Sequence, residues 1–549
     1  MLLIMETHKL DRLKNGARCF FRQNTLVCIL FINFVLAIIC FWINDIQFGN
    51  DDTIMCWIAS GSFLGQPDPH LVFSNFIYGL VLSLFYKTFP LIEWYSIFLI
   101  TIQVLSISII QKEFLQLKCS RFVRILIVVA VGIMELKLFR SLTFTTTAGI
   151  VATASFMVIC KRSAKHYLIG ALLFVIATFV RFFSAMLVSV IFLSFYPIYV
   201  HRCGFSKKEF FALSLCAFLG VAFQFVDRQY YKLGNDWNYY YETNKARAGI
   251  NDHVDVWRIK SDMPDGVIES DIDLLYLYGI RDSEIFNNES LSELHDIMNR
   301  QTGYKSIPYI RKIKHIPYHI KDYAFYWLAV LPLVLILLAY VKGNRKELLL
   351  GLLPVVVLPL ITSIVSMELI VKERAFLCAY IPFLLYFMRY VCIVCIGKNA
   401  HVRKLEIWLG CAVLLSVSPL VKFGVPGKTV KNKDCANIAN YIQENQLLPL
   451  CVDWPFDGNV MSVSNSYYDF SSNGWTYNMP GRIQIDKFVD LIYEEKLVIV
   501  GNVDSSDFFK LMDETVCFHY GVHVRPSVLK KCGNFVIYRL VERNENTVQ

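Results

Sequence analysis

Long apolar runs separated by short polar connectors dominate the first 421 residues of the chain. The first run, "TLVCILFINFVLAIICFWI" at 25–43, carries no charged residue. A run of about 20 apolar residues is long enough to cross the hydrocarbon core of a bilayer as a helix. The predicted fold class is therefore mainly α, a polytopic membrane helical bundle. The eleven predicted spans are 25–43, 91–111, 121–138, 143–160, 166–180, 183–199, 209–226, 323–341, 347–366, 375–396 and 404–421.

One further apolar run, "LVFSNFIYGLVLSLFYKTF" at 71–89, decides the predicted topology. Basic connectors belong in the cytoplasm by the positive-inside rule. The six basic connectors all fall on that side only if 71–89 does not cross, so we predict a juxtamembrane or re-entrant helix on the outer side. The chain is then a multi-pass protein of the plasma membrane with its N-terminus inside and its C-terminus outside. Lys87 and Trp94 lie outside, and Lys118 and Lys165 lie in the cytoplasm.

Polar segments concentrate on the predicted outer side. They comprise the loops 44–90 and 227–322 and a tail, 422–549. The tail contains short β-rich runs such as "KLVIVGN" and "NFVIYRL", which predict a small extracytoplasmic α/β domain after a membrane domain at 1–421. Outside the cytoplasm, its cysteines would be able to form disulfides. These cysteines are Cys435, Cys451, Cys517 and Cys532.

Composition agrees with a membrane protein. The 549 residues are 55% hydrophobic and 18% charged, and the mean hydropathy is +0.45. A soluble protein would carry about a quarter charged residues. The net charge of +9 lies largely in the connectors between apolar runs, which indicates orientation in a bilayer and argues against a nucleic-acid partner.

Two adjacent carboxylates, Asp51 and Asp52, directly follow the first span at the predicted outer boundary. At this depth a carboxylate can act as general base for a hydroxyl that attacks a lipid-linked donor, or hold Mg²⁺ or Mn²⁺ against the donor phosphate. The alternative is that one of them caps a helix beginning near Thr53. Asp51 stands closer to the cap position, so the pattern favours Asp52 as the base.

A lipid phosphate that leaves during transfer requires positive charge at the same depth. The candidates at outer span ends are Arg140, Arg181, Arg374 and Lys372. Anchoring in lipid headgroups is the alternative for such residues. Arg181 lies in "VIATFVRFFSAML", where a lone charge is costly and often functional, with a simple interfacial turn as the alternative. His70 and Tyr240 are candidates for binding the sugar, with a plain loop histidine and an interfacial aromatic as alternatives.

The first outer loop resembles that of the GT-C superfamily of membrane glycosyltransferases, which use polyprenyl-phosphate sugar donors. An acidic pair, the Gly/Pro-containing loop "SGSFLGQPDPH" and a juxtamembrane helix before the second span carry this resemblance. The stretches "NDDTIMCWIASGSFLGQPDPH" and "GLVLSLFY" are similar to a group of poorly characterised bacterial membrane proteins of this kind. The resemblance implies a GT-C-like bundle and catalysis by Asp51 or Asp52. The chain lacks the His-Pro-Pro of protein mannosyltransferases and the Trp-Trp-Asp of oligosaccharyltransferases, so the acceptor stays open.

These features predict an inverting glycosyltransferase that moves a sugar from a polyprenyl-phosphate donor to a cell-surface glycan or lipid acceptor. One alternative is a glycan polymerase like the O-antigen polymerases, which would depend on outer-loop arginines and not on the first-loop carboxylates. Another is a non-enzymatic transporter of lipid-linked sugars, which is less favoured because the predicted span interiors carry almost no charge. The expected partners are the donor, the acceptor and membrane lipids, and the metal dependence is open.

Overall fold

The computed structural model describes residues 24–43, 48, 50–253, 263–302, 308–340, 345–367, 370–396, 402–421, 433–452, 471–472, 474–482, 485–502, 505–533 and 535–543. Helices predominate among these residues, and a small sheet lies near the C-terminus. The mainly helical fold with several apolar helices is as the sequence predicts.

Sixteen α-helices precede the tail in the described part of the chain. Large apolar side chains such as Trp42, Phe211 and Leu349 are exposed on several of them, and exposed apolar faces of this extent suit contact with lipid. The helices are α1 (Thr25–Trp42), α2 (Asn50–Ser60), α3 (Phe76–Thr88), α4 (Trp94–Leu115), α5 (Arg121–Arg140), α6 (Phe144–Ile159), α7 (Ala164–Cys203), α8 (Lys207–Tyr231), α9 (Asn235–Asn251), α10 (Glu269–Asp273), α11 (Asn288–Thr302), α12 (Tyr309–Asp322), α13 (Ala324–Tyr340), α14 (Arg345–Val365), α15 (Glu373–Ile396) and α16 (Val402–Val417).

Helix α7 is a hairpin of two antiparallel arms. Its backbone breaks at Arg181, where φ is −160° and ψ is 102°. A straight helix of 40 residues would be about 60 Å long. Yet Arg162, just before α7, donates a hydrogen bond of 2.6 Å to the carbonyl of Cys203 at its far end. The predicted spans 166–180 and 183–199 are therefore these two arms, and Arg181 lies at the tip between them.

Ion pairs join the basic connectors at one end of the bundle. They are Lys161–Glu113 at 2.6 Å, Arg162–Glu209 at 2.9 Å and Arg202–Glu347. Four of the six basic connectors therefore meet at the end opposite the Arg181 tip. This separation of charge is what the positive-inside pattern predicts. The count of eleven crossings and the orientation of the termini stay predictions.

Helix lengths bear on which segments cross the membrane. Within the described residues, six helices are long and apolar enough to do so, namely α1, α4, α7, α8, α14 and α15. A bent pair, α12 and α13, meets at 86° and makes a seventh candidate if counted as one span. Helix α3 has 13 residues and is about 20 Å long, shorter than a hydrocarbon core of about 30 Å. Its length agrees with a juxtamembrane position for 71–89.

We expect cysteine-accessibility labelling to place residues 87 and 94 on the outer side and residues 118 and 165 in the cytoplasm. The reason is that the connectors holding 118 and 165 belong to the basic end of the bundle. Single-cysteine variants in intact cells, labelled with an impermeant maleimide before and after permeabilisation, provide the measurement. Labelling of residue 118 in intact cells would contradict the eleven-span topology.

The tail folds into a five-stranded sheet of order β2-β1-β3-β5-β4. Strand β1 pairs in parallel with β2 and β3, whereas β5 runs antiparallel to β3 and β4. Its elements are α17 (Lys433–Glu444), β1 (Leu448–Cys451), β2 (Ser471–Ser472), α18 (Asp490–Tyr493), β3 (Leu497–Asn502), α19 (Ser506–Tyr520), β4 (Val524–Cys532) and β5 (Phe535–Glu542). The predicted α/β fold is present. Cys451, Cys517 and Cys532 are unpaired, and Cys435 lies outside the described side chains.

The loop 227–322 and the tail share one hydrophobic core. Leu274 and Ile280 of the loop are buried in the same cluster as Ile499 of β3. A hydrogen bond also connects the two segments, because the Oδ2 of Asp282 accepts a 2.7 Å bond from the Tyr520 hydroxyl. The loop and the tail, which are separate in sequence, therefore form one folded unit beside the bundle.

Candidate active site

Helix α2 turns the two adjacent aspartates toward different surroundings. It begins at Asn50, so both carboxylates lie within its first turn. Neither aspartate therefore caps a helix that begins at Thr53, and this alternative is wrong. Successive residues of a helix point about 100° apart, so Asp51 and Asp52 face different neighbours.

Asp52 is fully buried and anchors α2 to two other helices. Its Oδ1 accepts hydrogen bonds of 2.8 Å from the hydroxyl of Tyr95 in α4 and 2.8 Å from the backbone N–H of Phe144 in α6. Its Oδ2 has no hydrogen-bond partner among the described residues. Burial raises the pKa of Asp52 to about 8, although both hydrogen bonds oppose this rise. Asp52 is thus a fully buried carboxyl group with one oxygen held by two helices.

A buried polar network holds α2 in place beside α3 and α4. The Oε2 of Glu93 accepts hydrogen bonds from the Tyr86 hydroxyl at 3.0 Å and from the Cys56 thiol at 3.2 Å. The Tyr86 hydroxyl in turn accepts a 3.1 Å bond from the N–H of Tyr95. Because these groups come from three helices, they fix the position of α2 relative to α3 and α4.

Asp51 lies at a partly open junction between the bundle and the tail. Its Oδ2 is 2.5 Å from Nη2 of Arg374, the second residue of α15. Its Oδ1 accepts a 3.2 Å hydrogen bond from the indole N–H of Trp475. The side chain of Asp51 is 16% exposed and that of Arg374 is 26% exposed. Asp51 is thus the accessible carboxylate of the pair, and it lies directly beside a cation.

Arg181 lies near this ion pair, at the tip of the α7 hairpin. Its Nη1 donates a 3.0 Å hydrogen bond to the carbonyl of Phe73, and its guanidinium carbon is 5.2 Å from the centre of the Phe73 ring. The Phe73 ring is in turn 4.8 Å from the ring of Trp475. The charges of Arg374 and Asp51 both act electrostatically on Arg181. Arg181, Arg374 and Asp51 thus lie in one neighbourhood.

The other predicted phosphate ligands have different surroundings. Lys372 is 3.2 Å from Asp252, and about half of each side chain is exposed. Arg140 is the exposed last residue of α5, and Lys137 in the preceding turn lies 3.4 Å from Glu373. Of the four predicted cations, Arg374 contacts Asp51 directly and Arg181 lies near it.

His70 and Tyr240 contact protein groups beside the site. Nδ1 of His70 is 2.8 Å from Oδ1 of Asp68, and its ring stacks on Trp237 with centroids 4.1 Å apart. The Tyr240 hydroxyl donates a hydrogen bond to the backbone carbonyl of Trp475. His70 thus contacts groups within the loop after α2 and on α9, and Tyr240 holds the backbone of Trp475.

Sequence reasoning missed the contribution of the tail to the site. Trp475 lies 424 positions after Asp51 in the chain. Close by, Arg482 donates a 2.6 Å hydrogen bond to the carbonyl of Phe63, and its guanidinium carbon lies 4.2 Å from the centre of the Phe63 ring. The stretch "NGWTYNMPGR" contains a suggestive Trp and Arg, but nothing local indicates which loop they meet.

The carboxylate pair does not form an evident cation site. Among the described residues, no group of three or more His, Cys, Asp or Glu side chains is placed to hold a metal ion. Asp51 is already bonded to Arg374, and the Oδ1 of Asp52 already accepts two hydrogen bonds. We therefore assign no step to Mg²⁺ or Mn²⁺.

Comparisons with known proteins complete this description. No protein-family model and no curated protein matches the chain. The structure of ArnT from Cupriavidus metallidurans bound to undecaprenyl phosphate aligns with 94% of this chain and 98% of its own, at 10% identity and a TM-score of 0.40. The apo structure of the same protein aligns with 96% and 98%, at 11% identity and a TM-score of 0.39. At such TM-scores the likeness assigns no function, which must be inferred from the chemistry of the site.

We expect Asp52→Asn to preserve the fold and to remove a pH dependence of stability. Between pH 3.8 and about 8 the folded protein keeps a proton on Asp52 that the unfolded chain has released. The free energy of unfolding therefore falls as pH rises through this window and levels off above it. Melting temperatures at pH 5 and pH 8 measure the effect. The difference in melting temperature between D52N and the parent protein should favour D52N most at pH 8. If the melting temperature of D52N were lower than that of the parent protein by the same amount at both pH values, Asp52 would be ionised in the folded protein.

Proposed function

We propose that this chain is an inverting glycosyltransferase that moves a sugar from a polyprenyl-phosphate donor to a cell-surface glycan or lipid acceptor, with Asp51 as general base. One observation carries this proposal, the accessible Asp51 carboxylate paired with Arg374 at one end of a helical bundle. A carboxylate that accepts a proton and a guanidinium that binds phosphate are the two groups such a transfer requires. The resemblance of the first outer loop to GT-C enzymes supports the same assignment.

In the proposed reaction, the acceptor hydroxyl donates a hydrogen bond to Asp51. Its oxygen forms a bond to the anomeric carbon of the donor while the bond from that carbon to the phosphate oxygen breaks. The hydroxyl proton passes to Asp51, and polyprenyl phosphate leaves from the opposite face of the sugar. A single displacement of this kind inverts the anomeric configuration, and a nearby carboxylate stabilises its oxocarbenium-like transition state.

The proposed donor site uses the two arginines near Asp51. Arg374 forms an ion pair with Asp51. Because a guanidinium binds phosphate through two parallel hydrogen bonds, an arriving donor competes for Arg374 and releases Asp51 for the acceptor. Arg181 adds positive charge in the same neighbourhood. The charge that develops on the leaving phosphate is then matched by fixed cations.

This assignment prefers Asp51, whereas the sequence pattern favoured Asp52. Asp52 has no exposed surface and its Oδ1 is bonded to two helices, so its proposed role is to hold the first turn of α2. We assign Tyr240 the role of positioning Trp475, whose indole holds the Asp51 carboxylate.

A glycan polymerase that depends on outer-loop arginines is the second candidate. The observation that favours it is the burial of Arg247 and Arg281 in the outer loop, where they are 8% and 5% exposed. Such a polymerase would not require the carboxylate of Asp51. The two candidates therefore differ in their response to loss of that group.

A transfer assay with the purified full-length protein tests the proposal. The protein in nanodiscs is incubated with a panel of polyprenyl-phosphate sugars and a membrane extract as acceptor. We expect release of polyprenyl phosphate from one donor and a product of inverted anomeric configuration by NMR. Transfer from none of the monophosphate donors, or a product of retained configuration, would contradict it.

A further inference from the structure

Two buried arginines of the outer loop, Arg247 and Arg281, both lie near enough to Tyr240 for their charges to act on it. Arg247 is on α9, and its Nε donates a 3.0 Å hydrogen bond to Asn244. Arg281 lies between α10 and α11, and its guanidinium carbon is 5.5 Å from the centre of the Tyr477 ring. The Nε of Arg281 has no hydrogen-bond partner in the described part of the chain. Nor does either arginine have a carboxylate within ion-pair distance among the described residues.

This arrangement is costly for the folded protein. Buried charges are normally paired with opposite charges, because removal of a charge from water is expensive. Burial and, to a smaller extent, the positive charge of Arg281 lower the pKa of Arg247 to about 10, although Tyr240, Asp252 and Asp51 act in the opposite direction. Burial likewise lowers the pKa of Arg281. An anionic ligand would supply the missing negative charge.

The arginine pair is connected to Asp51 through Tyr240 and Trp475. Tyr240 and Arg247 lie two turns apart on α9, on the same face. Tyr240 bonds to the carbonyl of Trp475, whose indole bonds to Asp51. The negative charge of Asp51 also acts on Arg247. The pair belongs to the unit formed by the outer loop and the tail, whereas Arg374 and Arg181 belong to helices of the bundle.

We propose that Arg247 and Arg281 bind an anionic group, a carboxylate or a phosphate, on the acceptor glycan. Two guanidinium groups in a low-dielectric setting bind such a group by charge-assisted, bidentate hydrogen bonds. The half-exposed ring of Tyr239 offers an apolar face for the sugar ring that carries the group. The acceptor class is then an acidic or phosphorylated glycan, held so that its hydroxyl lies beside Asp51. This assignment of the acceptor rests on the proposed glycosyl transfer.

Ligand-induced thermal stabilisation of the full-length protein in detergent tests the site without requiring turnover. The probes are galacturonic acid and glucose 6-phosphate, with galactose as the neutral control, all at one ionic strength. We expect at least one acidic probe to raise the melting temperature by about 2 °C and galactose to leave it unchanged. The separate probes distinguish a carboxylate site from a phosphate site.

Variants identify the residues responsible. We expect R247M and R281M each to abolish the rise, and R281K, which keeps the charge but loses the planar fork, to reduce it. R525M, at an exposed position of β4, is the matched control and should retain the full rise. R281M should also bind undecaprenyl phosphate as tightly as the parent.

The melting temperature without ligand separates binding from a structural role. Because R247M and R281M each remove an unpaired buried charge, their melting temperatures should be equal to or higher than that of the parent protein. If both variants had a lower melting temperature than R525M, or failed to fold, the arginines would be structural and the proposal would be overturned. The absence of an anion-specific rise, or a rise that survives in both variants, would also overturn it. A protein that binds the acidic probes but transfers no sugar would refute only the proposed transfer.

Discussion

Asp51→Asn is expected to lower turnover by at least about 100-fold, the usual scale for loss of a general base. An amide has nearly the shape of the carboxylate but does not accept the acceptor's proton. Its oxygen can still accept the hydrogen bond from the Trp475 indole. The pair with Arg374 is partly exposed, so its loss should affect the melting temperature little. The rate of polyprenyl-phosphate release with saturating donor provides the measurement.

Asp52→Asn is the matched control, because it makes the same change one residue away. It should keep most of the activity, since an asparagine oxygen can accept the hydrogen bonds from Tyr95 and Phe144. If D52N were inactive and D51N active, Asp52 would be the base. If both variants transferred sugar at full rate, the polymerase that depends on outer-loop arginines would become the leading assignment.

Arg374→Gln is expected to lower kcat by about 100- to 1,000-fold, the scale for loss of one group that stabilises developing negative charge. The same substitution should weaken binding of undecaprenyl phosphate, measured by microscale thermophoresis. R374K should keep part of the kcat and part of the affinity for undecaprenyl phosphate, because lysine keeps the charge without the bidentate geometry.

Lys372→Gln is the control for the arginine variant, since Lys372 is two residues away and pairs with the half-exposed Asp252. Its kinetics should stay close to those of the parent protein. A kcat for R374Q as high as that of K372Q would exclude Arg374 from the reaction and leave its ion pair with Asp51 a structural contact.

Much of the fold follows from local sequence properties. Hydropathy and loop charge predict the helical bundle, the two arms of α7 and the position of Arg181 at their tip. These features depend on the length of each apolar run and on the charge of each connector, and both are read directly from the sequence. The same argument about depth brings Arg181 and Arg374 to the level of the aspartates. The β-rich runs of the tail likewise predict strands β3 and β5.

The features that distinguish Asp51 from Asp52 lie outside their local sequence. The two residues are chemically identical, and their environments depend on partners contributed by α4, α6, α15 and the tail. Hydropathy also does not reveal that α2 begins before the pair. The contact between Asp51 and Trp475 depends on how the intervening chain folds, and no periodicity in the sequence encodes it.

The shared core of the outer loop and the tail has a consequence for recombination. A chimera that exchanged only residues 422–549 between relatives would separate Leu274 and Ile280 from the strands they pack against. Because Trp475 bonds to Asp51, the indole from one parent protein would also have to fit the carboxylate of the other. Successful exchanges of specificity should therefore carry the segment around 263–302 together with the tail. For protein engineering these two stretches thus form a single exchangeable module, despite the helices encoded between them.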